Sequence, residues 1–118
     1  MANEISATVV FRAVKDGNTE SFNQSFQANW TTSLFQNATY SLTTSPGNLA
    51  LGTVATIGYV LFYNTDATNN ALIGSDGAIW QIIVPPLTFV GPILWNAAAI
   101  NAKSSASTVK LIALILNT

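Results

Sequence analysis

The sequence predicts an all-β fold: an antiparallel β-sandwich, jelly-roll or immunoglobulin-like, built from eight or nine short strands. Three observations carry this. Short segments alternate apolar and polar residues with period two and are rich in β-branched and aromatic types. Turn signals built from Gly, Pro, Asn and Asp separate them at close intervals. No stretch shows the 3.6-residue period of a long amphipathic helix. Such a pattern belongs to sandwiches. The chain has 118 residues, so a single domain spanning residues 1–118 is expected.

Taken in order, residues 5–14 set Ile5, Ala7, Val9, Phe11 and Ala13 against Ser6, Thr8, Val10, Arg12 and Val14. That is strand periodicity. Lys15-Asp16-Gly17-Asn18 follows as a turn in which Gly17 or Asn18 takes positive φ. Residues 19–28 then place Phe22, Gln24 and Phe26 on one face, so the two segments form a hairpin. Residues 29–37 are less regular, and residues 39–44 read as another strand. Ser45-Pro46-Gly47-Asn48 is a turn, 49–54 a short segment, and 57–63 (IGYVLFY) a strong strand.

Asn64 to Asn70 form a loop of residues that hydrogen-bond their own backbone. A short strand is expected at 71–73 and a turn at Gly74-Ser75-Asp76-Gly77. Residues 78–84 and 87–95 flank a Pro85-Pro86 corner. Residues 96–107 are small and polar, with room for one helical turn. The segment 108–116 has Val109, Leu111, Ala113 and Ile115 on one face and Ile112, Leu114 and Leu116 on the other. A strand apolar on both faces lies centrally or meets a partner.

Function is bounded mainly by what the chain lacks. It has no His and no Cys, and residues 21–102 carry only two charged side chains, Asp66 and Asp76. Acid–base, metal and nucleophilic chemistry draw mostly on the missing types, so no enzyme, cofactor or metal site is expected. The basic residues Arg12, Lys15, Lys103 and Lys110 form no cluster, which argues against nucleic acid as a partner. Ala78 to Ile100 is an uncharged run of 23 residues, long enough to imitate a membrane span. Pro85, Pro86, Gly91 and Pro92 break it, so strands are expected there and no membrane partner. Charged residues make up 8% of the chain, against about 25% in ordinary soluble domains. Neutral surface is cheap to desolvate, and this favours permanent contacts with neighbours.

Several constellations have competing readings. Asp66 and Asp76 suggest a carboxylate pair, but each sits in an Asx- and Gly-rich turn and is expected to hold backbone geometry. Asn64, Asp66, Asn69 and Asn70 suggest a Ca²⁺ loop, but one carboxylate is few for that ion, and a structured loop is expected. Trp30, Trp80 and Trp95, with Phe35 and Phe89, divide between core, protein interface and sugar-stacking platform. The three tryptophans are the candidate interface residues.

The stretch from Leu49 to Asn70, LALGTVATIGYVLFYNTDATNN, carries a resemblance. Its Leu-Gly-Thr-Val turn, Gly-Tyr with an apolar strand, and Asn-x-Asp-Ala-Thr-Asn loop are followed by Gly74-Ser75-Asp76-Gly77. An Ala-rich segment (97–102) and an apolar last strand (109–116) complete the pattern. The chain resembles small β-sandwich virion structural proteins of tailed bacteriophages, of the capsid-decoration or auxiliary head type. Pro85-Pro86 departs from that pattern, where relatives show a Lys-x-Gly-Glu turn, so interface details do not carry over.

The resemblance implies a protein made in the host cytoplasm and placed on the capsid surface. Its partners would be sister copies and the major capsid protein or other virion proteins, in a homo-oligomer or lattice. It implies structural roles for Gly58, Asn64, Asp66, Ala67 and Thr68, with Gly58 allowing close backbone approach and the rest forming a tight loop. The alternative is a carbohydrate- or receptor-binding β-sandwich module associated with a tail or head fibre.

Overall fold

The computed structural model describes residues 4–30 and 32–118. Ten strands run in chain order: β1 (Ile5–Lys15), β2 (Asn18–Ala28), β3 (Phe35–Leu42), β4 (Gly47–Asn48), β5 (Ile57–Asn64), β6 (Ala71–Gly74), β7 (Ile82–Val84), β8 (Phe89–Leu94), β9 (Asn101–Ser104) and β10 (Val109–Asn117). There is no helix among the described residues. All pairings are antiparallel.

Where length alone predicts one domain, the chain divides into two compact units, residues 1–31 and 32–118. The cause lies in the pairing: among the described residues, β1 and β2 hydrogen-bond to each other and join no further strand. The hairpin turns through Asp16 and Gly17, both at positive φ (51° and 81°), as a two-residue turn with the twist of the strands requires. Asn18 is thereby the first residue of β2 rather than part of the turn.

The second unit is a sandwich of two four-stranded sheets, ordered β3-β10-β5-β8 and β4-β9-β6-β7. The alternation of β10 explains its place. Val109, Leu111, Ala113 and Ile115 are completely buried, while Lys110 and Ile112 are exposed. With β3 on one side and β5 on the other, β10 is central. Phe62, Val60, Ile73, Val84, Ile100 and Leu111 fill the space between the sheets. Burying each such side chain contributes about 1.5–3 kcal/mol.

Three local expectations shift. The third strand begins at Phe35, earlier than 39, because β10 pairs with it from Leu116↔Phe35 to Val109↔Leu42. The pairing strand near residue 48 is Gly47–Asn48, inside the expected turn, and 49–54 has no strand. The segment 96–107 holds β9, not a helical turn, because β4 and β6 pair with it on either side. Strands β7 and β8 do not pair: Pro85-Pro86 carries the chain from one sheet to the other. No helix among the described residues is long and apolar enough to cross a membrane.

Candidate functional site

The expected structural loop is built around one buried amide. Asn64, completely buried at the end of β5, donates from Nδ2 to the Asn69 carbonyl at 2.8 Å and to the Val84 carbonyl at 2.9 Å. Its Oδ1 accepts the Asp66 N–H at 2.9 Å. Asp66 Oδ2 in turn accepts from the Asn69 N–H (2.6 Å), the Thr68 N–H (3.0 Å) and the Thr68 hydroxyl (3.3 Å). Ala67 is exposed at the tip. The Asn69 and Thr68 amides hold the Asp66 carboxyl below its ordinary value of 3.8.

Asp76 repeats the device between β6 and β7. Its Oδ1 accepts the Ala78 and Ile79 N–H groups at 2.8 and 2.9 Å, and these hold its carboxyl below 3.8 as well. The two carboxylates thus occupy separate turns, each engaged with its own backbone. Among the described residues, no three His, Cys, Asp or Glu side chains converge as metal ligands would.

Gly58 is buried in β5 beside the end of β10, where a Cβ would stand 3.0 Å from Thr118 Cβ and 3.1 Å from the Leu116 carbonyl. Asn117, which sequence reasoning missed, works beside it. Its Oδ1 accepts the Ala55 and Thr56 N–H groups at 2.6 and 3.0 Å. Nothing in the local sequence marks Asn117 for this role, because its partners lie some sixty positions away.

The tryptophans separate. Trp95, a candidate interface residue, is only 8% exposed and belongs to the core. Its ring meets Phe62 edge-on at 6.1 Å, and its Nε1–H donates to the Ala99 carbonyl at 3.0 Å. It therefore offers no surface to a partner or a sugar. Trp80 is half-buried, with Lys103 Nζ 5.2 Å from its ring centroid. Trp30 is half-buried near the base of the hairpin, and its backbone N–H donates to Glu4 Oε2 at 3.2 Å. Within the sandwich, Trp80 and the buried Trp95 do not form one exposed platform.

Two apolar faces stand out instead. On the hairpin, the register puts Val9, Phe11 and Ala13 opposite Gln24, Phe22 and Glu20. Phe11 is 66% exposed and its cross-strand partner Phe22 51%. On the sandwich, the outer face of the β3-β10-β5-β8 sheet carries a row in which Ile112 pairs with Tyr63 and Tyr63 with Phe89. All three side chains are exposed, Phe89 the most at 57%. Leu114 and Leu61 form a half-buried pair alongside. The doubly apolar pattern of 108–116 was the sequence signal for this face; the exposure of Phe11 and Phe22 had none.

No protein-family model, no curated protein and no solved structure matches this chain.

Proposed function

We propose that this protein is a structural component of a tailed-phage particle, a capsid decoration or cement protein that works in many copies by adhesion. The observation that carries the reading is the exposed apolar row Ile112–Tyr63–Phe89 on a sheet whose four strands contain one charged residue, Lys110. Neutral apolar surface of this kind suits permanent contact with other protein. The resemblance over residues 49–70 supplies the virion setting.

The energetics favour many weak contacts over one strong contact. Covering about 400 Å² of apolar surface at about 25 cal/mol per Å² returns about 10 kcal/mol gross. Association itself costs about 4–15 kcal/mol. One contact is therefore near break-even, whereas a copy held by several neighbours in a shell is held firmly. Adhesion needs neither His nor Cys, and this chain has neither. The burial of Trp95 and the place of Lys103 over Trp80 weigh against the carbohydrate-binding reading.

The test is location. Mass spectrometry and electron cryomicroscopy of purified particles should find the chain in fixed multiple copies on the shell. Its absence from particles, or a place as a single copy at a fibre tip, would overturn the decoration reading.

A further inference from the structure

The β1–β2 hairpin presents a physical problem that its own sequence does not solve. A two-stranded hairpin is marginally stable in water and needs a further strand or a packing surface. Both strands here have 11 residues, and among the described residues neither pairs with a third strand. One face mixes Ser6, Thr8, Arg12, Ser21 and Ser25 with the exposed Val10 and Val14; Thr8 and Ser25 are hydrogen-bonded across it at 3.0 Å. The other carries the exposed Phe11–Phe22 pair.

We infer that the hairpin of one copy lies with its Phe11–Phe22 face across the Ile112–Tyr63–Phe89 row of a second copy, in a closed exchange of arms. The inference rests on the multi-copy reading above. Charge placement supports the second copy as the occupant and sets the register. Glu20 is the acidic residue of the hairpin's apolar face, one side-chain step beyond Phe22 toward the tip. Lys110 is the charged residue of the sheet's outer face, one step beyond Ile112 on β10. Each step of two residues is about 7 Å. With Phe11–Phe22 seated on Ile112 and Tyr63, Glu20 reaches the second copy's Lys110. In the single chain the Lys110 ammonium donates to the Ser41 hydroxyl. Lys15, the other charge on the hairpin's apolar face, lies one pair further toward the tip.

Area decides between an open pair and a closed assembly. Strands of about 3.4 Å per residue, spaced about 4.8 Å, make the hairpin face about 37 by 10 Å. One such contact removes about 700 Å² counting both partners, below the roughly 1,200–2,000 Å² of stable interfaces. In a reciprocal pair each copy gives one hairpin and receives one, which brings the total to about 1,500 Å² for the pair. The contact joins two different patches, so closure by symmetry is what limits its growth.

The test is sedimentation velocity on the full chain and on Glu20→Lys, Lys110→Glu, their double exchange, and Phe11→Ser/Phe22→Ser. Wild type should be a discrete oligomer. Each single charge reversal should weaken self-association by about tenfold or more, and the double exchange should restore it to near wild type. The Phe variant should be monomeric with the sandwich melting unchanged. An oligomer unaffected by every hairpin substitution overturns this inference and leaves the multi-copy reading standing. A double exchange that stays as weak as the single reversals overturns the Glu20–Lys110 register. A wild-type monomer at every concentration overturns both the inference and the multi-copy reading.

Discussion

The Asn64 side chain donates to the Val84 carbonyl at 2.9 Å, and so clasps β5 in one sheet to β7 in the other. Replacing it with Ala would leave the Val84 and Asn69 carbonyls and the Asp66 N–H without this partner. Buried polar groups left unpaired cost about 1–3 kcal/mol each, so Asn64→Ala should lower unfolding free energy by at least about 2 kcal/mol. Asn64→Asp keeps the acceptor but loses both donated bonds and should fall at least as far. Chemical denaturation measures both. A midpoint for Asn64→Asp equal to wild type would show that the clasp does not hold the sheets.

Acid should loosen the two Asx turns. The carboxyls of Asp66 and Asp76 are held below their ordinary 3.8. A depressed carboxylate stabilises the fold fully above its unfolded value and ceases to do so as pH falls through its folded value. Melting temperature should therefore be flat above about pH 5 and drop below about pH 4. In Asp66→Ala/Asp76→Ala the plateau should be lower and the drop smaller. A parallel fall in the variant and the wild type would assign the acid sensitivity elsewhere.

Two glycines make a controlled comparison. At Gly74 a Cβ would stand 2.2 Å from the Ile79 carbonyl, while at Gly47 nothing lies within 4 Å. Gly74→Ala must push the backbone apart and should cost about 1–3 kcal/mol or more. Gly47→Ala should stay within about 0.5 kcal/mol of wild type. Thermal melts of the two variants side by side check this, and equal losses would contradict it.

Self-association through neutral faces should depend little on salt. Exposed charges separated by more than about 10 Å are screened at 0.1 M salt, and the proposed contact holds one charge pair among apolar side chains. Sedimentation in low salt and in roughly 0.5 M salt should give the same oligomer. Dissociation at high salt would mean that charge, not apolar burial, holds the copies together.

The parts legible in the sequence were those whose cause is local. Period-two alternation located β5 and β10, and the double apolar face of β10 pointed to a central place or to a partner; the place is central. The Asx-rich run 64–70 announced a self-bonded loop. What was illegible has distant causes. Strand β9, Asn-Ala-Lys-Ser, has weak strand propensity and exists because β4 and β6 pair with both its edges. Trp95 is core because Phe62, far away in sequence, turns an apolar face toward it. The reach of Asn64 to Val84 requires the chain to cross between sheets at Pro85-Pro86, and spacing alone does not reveal that crossing.

The central position of β10 also governs when the sandwich can form. It pairs Val109 with Leu42 and Leu116 with Phe35 on one side, and Leu111 with Asn64 on the other. On the ribosome, β3 and β5 emerge long before the strand that separates them. Until it arrives, each has an unsatisfied edge and an apolar face open to other nascent chains. Such non-local pairing slows folding, and exposed strand edges invite aggregation. Synthesis rate and chaperone supply, rather than the stability of the finished fold, would then set how much of this protein is recovered.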